Sequence, residues 1–357
     1  STYLDPESSQ TGELNNFVDG YSVNTYFNDA ADVDATIPVN GRLSYLIGAG
    51  LMPPAESTAG QIRRRVIDDL IIDMDNISGA DQYSITNTAS ILLMEPGTRI
   101  IVESGTLELR NTRIRGCDGM WGSIQVEDGA ELIAQRCDIR DGTTAIKLGN
   151  GARASITNCY FLNNNVGVSL DNKYYTNTAD LYRFYGNDFR GEGYLKAPLQ
   201  NTRSAFGVRI NKGAVILGDL NKSPNRFDGL QNGIYASRAT LSVRNSSFTN
   251  ITAPPPNEPS AFPFTGRAVG VRGASVYNAN IFMSGMDETL YFENCDHAVD
   301  IEQSSAWIRS LSINNCDVGI RAANCDQRFL RIFNNYDMAV NQTGIELVQN
   351  NPLHAWI

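Results

Sequence analysis

Between Arg115 and Leu170 the chain repeats itself, and that repeat restricts its possible folds more than any other feature. Ile124-Gln125-Val126, Asp128-Gly129, Cys137 and Ile139 return as Ile146-Lys147-Leu148, Asn150-Gly151, Cys159 and Phe161, an interval of 22 residues. Val168-Ser169-Leu170 opens a third copy at the same interval. Apolar positions within each copy alternate by two, as in a strand, and do not fall three and four apart as in a helix. Short strands at a fixed period, punctuated by Gly and Asn, are the pattern of a solenoid. The chain therefore reads as all-β: a right-handed parallel β-helix in which each turn adds one strand to each of two or three stacked sheets.

The repeat is absent from the N-terminal residues. Residues 1–40 are rich in Asn, Asp, Ser and Tyr without a clear period, and Met52-Pro53-Pro54 to Gly60 reads as a linker. Residues 1–60 are accordingly expected to form a cap or extended region, since a solenoid needs its open core and sheet edges covered. Residues 61–357 are expected to form the coil. Near its start, Ile72-Asp73-Met74-Asp75 alternates and predicts strand; Ile91–Met94 and Arg99–Val102 follow as strands around Glu95-Pro96-Gly97. The landmark strand returns at Gly207-Val208, Gly233-Ile234, Gly270-Val271, Ala298-Val299, Gly319-Ile320 and Gly344-Ile345. Two long intervals, about 171–205 and 251–267, read as loops thrown out from single turns. Leu290, Phe292, Asn294-Cys295-Asp296 and Val299 then recur as Leu311, Ile313, Asn315-Cys316-Asp317 and Ile320.

Equivalent positions in neighbouring turns lie about 4.8 Å apart. Cys137 with Cys159, and Cys295 with Cys316, are therefore expected to stack as small buried thiols, with a disulfide as the less favoured alternative. Zinc is disfavoured, because there is no Cys-x-x-Cys pair and the only histidines are His297 and His354. Asn158, Asn245, Asn294, Asn315 and Asn335 end apolar strands where the chain bends. Asn tolerates the left-handed backbone of such bends, and its amide can bond along a stack. Asn245, Asn250 and Asn341 also open glycosylation sequons.

With 39 acidic against 29 basic residues, the net charge of −10 argues against sequence-independent nucleic-acid binding. No apolar run is long enough to cross a bilayer, so no membrane span is expected. The chain begins at Ser1 without an initiator Met, which suggests a processed chain or a segment of a larger chain or assembly.

The stretch Gly116-Cys117-Asp118-Gly119-Met120-Trp121-Gly122-Ser123-Ile124, with Ile91 to Gly97 and Ile100 to Leu109 before it, resembles a known group. It is similar to the right-handed parallel β-helix regions of large secreted or surface proteins of Bacteroidota. That resemblance spans roughly residues 60 to 350, and its distinctive part is 91–126. It implies a secreted or cell-surface bacterial protein with an adhesive or carbohydrate-related role, and it carries no shared catalytic residues. Many members of the group end in a type IX secretion sorting domain, whereas this chain ends at Pro352-Leu353-His354-Ala355-Trp356-Ile357.

Polysaccharide-cleaving enzymes also use parallel β-helices, so their chemistry is the alternative to a scaffold. The polygalacturonase sequence motifs do not occur in order, and Asp68-Asp69 lacks the accompanying His and basic segments. A lyase needs acidic residues, with calcium, beside an Arg or Lys base. Asp296, Asp317 and Arg321, with His297 and Asp300, are the candidates, because adjacent turns bring Asp296 beside Asp317. The scaffold reading is favoured over the enzyme, since fold analogy alone licenses no catalytic role. The calcium-binding nonapeptide and the Thr ladder of an ice-binding face are both absent. Tyr174, Tyr175, Tyr182, Tyr185 and Tyr194 are the candidate ligand-binding residues, as Tyr gives rigid amphipathic area for a surface glycan or an extracellular protein. Trp121 is expected to pack at a corner of the coil.

Overall fold

The computed structural model describes residues 35–37, 41–54, 61–87, 90–173, 176–254, 269–274, 280–284, 290–325, 330–333 and 338–348. Alternating strands too short to bury both faces alone stack in parallel, turn upon turn, into three walls. One turn of the repeat shows the plan. Ile124–Val126 lies in the first wall, Glu131–Gln135 in the second and Asp138–Arg140 in the third. The next turn lays Thr144–Leu148, Arg153–Thr157 and Tyr160–Leu162 on the same three walls.

The sequence interval is the structural register. Ile124 pairs with Ile146 and Ile146 with Val168; Leu132 pairs with Ala154, and Ile139 with Phe161. Further along, Val208, Ile234, Val271, Val299, Ile320 and Ile345 follow one another in the first wall, all parallel. At the bends Asn158, Asn245, Asn294 and Asn315 have φ of 53°, 39°, 53° and 50°, the left-handed region expected of them. Asn315 donates to Asn294 Oδ1 at 2.6 Å, Asn294 to Asn250 Oδ1 at 3.2 Å and Asn250 to Asp228 Oδ1 at 2.7 Å. Asn335 lies outside the described residues.

Inside the coil, identical residues stack on themselves. Phe161, Phe189, Phe227, Phe248 and Phe292 form a ladder in the third wall, with ring centroids 4.5, 5.0, 4.8 and 4.7 Å apart. The first wall makes room for it with glycine. A Cβ on Gly167 or Gly233 would stand 2.5 Å from the Phe189 or Phe248 ring; on Gly207 it would stand 2.5 Å from Phe227, and on Gly270 2.7 Å from Phe292. All six cysteines are free thiols, and Cys137, Cys159, Cys295 and Cys316 are buried. Burial and the hydrogen bond that its S–H makes to Cys137 push the Cys159 thiol well up, which keeps it protonated and inert.

Three local expectations are revised. Residues 171–205 are not one loop: they contain the strands Asp180–Tyr185 and Asp188–Arg190, paired with Arg153–Thr157 and Tyr160–Leu162. The extra chain divides between the connection at 172–179 and a longer one at 191–205. Alternation at Ile72-Asp73-Met74-Asp75 does not continue as strand; the strand Leu70–Asp73 gives way to a 3-10 turn at Met74–Asn76. Stacking also begins before residue 61. Ala35–Ile37 pairs with Arg64 to Val66, and Gly41–Arg42 with Leu70 and Ile71. Of 251–267, only 251–254 is among the described residues, in irregular conformation.

In that first turn a helix, Leu43–Gly48, follows the first-wall strand and buries Leu43 and Leu46 against the coil interior. Its first turn is capped from the next rung. Asp73 accepts the Ser44 amide at 3.0 Å and the Ser44 hydroxyl at 2.6 Å. Burial alone would raise the Asp73 pKa, but these bonds and one from Asn76 outweigh it and hold the carboxyl below its ordinary value.

Two outcomes follow for stability. Gly207→Ala should lower unfolding free energy by about 1–3 kcal/mol through overpacking against Phe227. Combined with Phe227→Leu it should cost less than the two single changes added together, which denaturant titration of the cycle measures. Asp73→Ala should cost about 1 kcal/mol at neutral pH, as a lost helix cap. Because the folded pKa of Asp73 is depressed, its contribution is present above the unfolded carboxylate pKa of about 3.9 and disappears as pH falls through the folded value. The wild-type and variant stabilities should therefore converge in acid.

Candidate functional site

Asp296 and Asp317 are the candidate catalytic carboxylates. The register His297 to Val318 sets the two aspartates on adjacent rungs, as expected from their spacing. Their carboxylates, however, point to different partners. Asp296 Oδ2 accepts the Ala253 amide at 2.8 Å, and Asp317 Oδ1 accepts from the Asn341 side chain at 3.3 Å. Asp300 is buried in the first wall, and Arg321 on the next rung donates to its Oδ1 at 2.8 Å while Glu346 lies 3.6 Å from Arg321 Nε. Asp69 of the Asp68-Asp69 pair is likewise engaged, by the Arg99 amide at 2.8 Å and its guanidinium at 2.5 Å. Among the described residues, no group of three or more His, Cys, Asp or Glu side chains is arranged to hold a metal.

The tyrosines do not form one cluster. Tyr174 and Tyr175 lie outside the described residues. Tyr182 and Tyr185 sit on the second-wall strand Asp180–Tyr185, where a bulge after Ala154 gives Tyr182 the extra, outward position. The Tyr182 hydroxyl donates to Glu131 Oε1 at 2.7 Å, and the Arg153 and Arg183 guanidiniums lie 5.2 and 5.9 Å from its ring centroid. Partial burial, with the Glu131 bond and charge, pushes the phenol up to about 12. Tyr185 has Lys222 5.9 Å from its ring. Tyr194 stands apart in the 191–205 connection, exposed and beneath Arg203 at 6.0 Å.

That connection is latched across earlier turns by one residue. Lys196 Nζ donates to the Gly116 and Cys117 carbonyls at 3.1 and 3.2 Å and pairs with Asp141 Oδ2 at 3.0 Å. The Met120 amide adds a bond to the Ala197 carbonyl at 2.7 Å. Burial raises the Asp141 pKa, and Lys196 opposes it. Beside the latch, Trp121 is fully buried at a corner with its indole N–H on the Arg140 carbonyl at 2.6 Å. Along the third wall the outward pairs Asp138 with Arg140 and Asp188 with Arg190 alternate in sign with Arg113 and Arg226 on adjoining strands. Burial raises the Asp188 pKa, and Arg190 counteracts it. The three sequon asparagines all use their amides internally: Asn245 on the Asp219 and Lys222 carbonyls, Asn250 on Asp228 and Asn341 on Asp317.

Comparisons with known proteins agree with this geometry at the level of fold. The family model "Right handed beta helix region" matches residues 98–253, which include the clean repeat and the latched connection. The fold is a right-handed parallel β-helix. Among solved structures, PfbA, a surface adhesin of Streptococcus pneumoniae, aligns over 81% of this chain and 81% of its own, at 8% identity and a TM-score of 0.23. A likeness that loose carries no argument about function. No curated protein matches the chain. No helix among the described residues is long and apolar enough to cross a membrane.

Lys196 was invisible to sequence reasoning, since its partners lie in earlier turns, at Gly116, 80 residues away, and at Asp141. Lys196→Met should free the 191–205 connection while leaving the stacked core intact. Limited proteolysis should then cut between residues 191 and 205 faster than in the unaltered chain, at an unchanged far-ultraviolet circular dichroism spectrum.

Proposed function

We propose that this chain is a non-enzymatic β-helical segment of a bacterial extracellular or cell-surface protein, a rigid scaffold that adheres to a surface glycan or an extracellular protein. The observation that carries this reading is the engagement of the candidate catalytic groups. Asp296 ties down the 251–254 segment, Asp317 holds Asn341, and Asp300 and Arg321 neutralise one another inside the first wall. A general acid or base has to meet substrate, and these side chains meet the coil. Exposed Tyr182 and Tyr194 support the adhesive part of the reading, since rigid aromatic side chains bind with little loss of conformational freedom. The resemblance to Bacteroidota surface β-helices supports the location.

The test is a glycan and extracellular-matrix binding screen, run beside assays for new reducing ends and unsaturated products with and without calcium. Removing 173–194 bodily would delete a paired second-wall strand, so point variants are needed. Binding without turnover, weakened by Tyr182→Ala or Tyr194→Ala, is the expected result. Turnover lost in Asp296→Ala or Asp317→Ala would overturn the proposal in favour of a polysaccharide lyase or hydrolase.

A further inference from the structure

The bulge after Ala154 lays the Tyr182 ring down on the second wall. The Tyr182 hydroxyl meets Glu131 Oε1 at 2.7 Å, and Glu131 stands two rungs earlier, since Glu131 pairs with Arg153 and Arg153 with Asp180. Two rungs span about 9.6 Å. A phenol that reaches so far back runs along the coil axis, against the sheet, over the rung between. Ser155 on that rung lies between the fully buried Ala154 and Ile156 and so points out of the coil, yet it is only 5% exposed. Its side chain opposes the rise of the phenol's pKa, which places it beside the same oxygen. Tyr182 itself remains 37% exposed, so the ring covers the sheet with one face and meets solvent with the other.

Four charged groups surround this ring. The Arg153 and Arg183 guanidiniums lie 5.2 and 5.9 Å from its centroid. Asp180 Oδ2 stands 3.8 Å from Arg153 Nε, with both side chains more than half exposed, and the Glu131 carboxylate closes the far end. Together the two guanidiniums and two carboxylates carry no net charge. An aliphatic ligand would leave them without hydrogen-bond partners, and a polyanion would gain at two of them and lose at the other two. A pyranose suits both parts of the site. Its polarised C–H groups pack on the electron-rich ring face, and its vicinal hydroxyls donate in pairs to carboxylate and accept in pairs from guanidinium. The bond to Glu131 fixes the ring before a ligand arrives, which lowers the cost of binding.

We propose that this Tyr182 platform binds an uncharged glycan, one pyranose stacked on the ring and its hydroxyls bonded to Glu131, Arg153, Asp180 and Arg183. The inference rests on the reading of the coil as an adhesive scaffold. It assigns the binding site to the second wall, away from Tyr194, and the ligand to the neutral sugars.

The experiment is isothermal titration of the full chain with dextran, a mixed-linkage β-glucan, galactomannan and xyloglucan as neutral probes. Polygalacturonate, heparin and collagen are the comparison ligands. The expected result is binding of at least one neutral glycan more tightly than either polyanion. Its affinity should change by less than about twofold between about 0.05 and 0.5 M salt, because no net charge is neutralised. Tyr182→Ala should weaken that binding about tenfold or more, and Tyr182→Phe, which keeps the ring, should lose less. Arg183 is exposed beside the ring, so Arg183→Ala should leave the melting temperature unchanged and still weaken binding about threefold or more. Neutral-glycan binding untouched by Tyr182→Ala and Arg183→Ala would overturn the site and keep the adhesive function. Tighter binding of polygalacturonate or heparin than of every neutral probe would overturn the neutral-sugar assignment. Failure to bind any neutral probe would overturn the inference, and collagen bound in their place would leave the adhesive function standing. Cleavage of the bound glycan would instead overturn the adhesive function.

Discussion

Everything in this molecule depends on like stacking on like along one axis. The parallel register puts each inward side chain above its counterpart in the previous turn, so the core is a set of columns in place of a single jigsaw. The phenylalanine ladder from Phe161 to Phe292 is the largest of these columns. Offset parallel rings at these separations are favourable beyond the area they bury. They fit only because Gly167, Gly207, Gly233 and Gly270 leave no Cβ in the facing wall. Packing at interior density makes the two columns a single constraint, since neither can change volume without the other.

The same axial logic governs the polar groups. At the bends Asn315 donates to Asn294 and Asn294 to Asn250, each to the rung before it, and buried Asn187, which donates to Asn225 on the rung after, continues the column begun by Cys137 and Cys159. On the outer surface, stacking turns one-residue features into stripes. Alternating Arg and Asp on the third wall neutralise one another. Rigid walls suit recognition because the contacting side chains are already placed when a ligand arrives.

Chain length between strands is the variable that the stacking tolerates. The interval from Val168 to Val208 is far longer than that from Ile146 to Val168, yet both pairs lie in the same register. Loops absorb the difference at little entropic cost, because closure entropy grows slowly with length. The connection at 191–205 exploits this tolerance, reaching back to Gly116 and Asp141 through Lys196.

The 22-residue interval, the left-handed asparagines and the buried thiols were legible in the sequence, because each is a local pattern repeated at constant spacing. The adjacency of Asp296 and Asp317 was legible for the same reason. The strands inside 171–205 were not, since a change of spacing hides a register that hydrogen bonds preserve. Nor could Trp307 be placed in the outward column of Ile216, as the intervening turns differ in length and their positions align only once stacked. Whether a carboxylate is a candidate acid or a structural fastener also depends on contacts far away in sequence, as Asp296 and Ala253 show. The sequence by itself determined that this chain coils, through alternation and period. The tertiary structure decided which outward side chains share a face, because that depends on how many residues each turn loops out before the next strand is laid down.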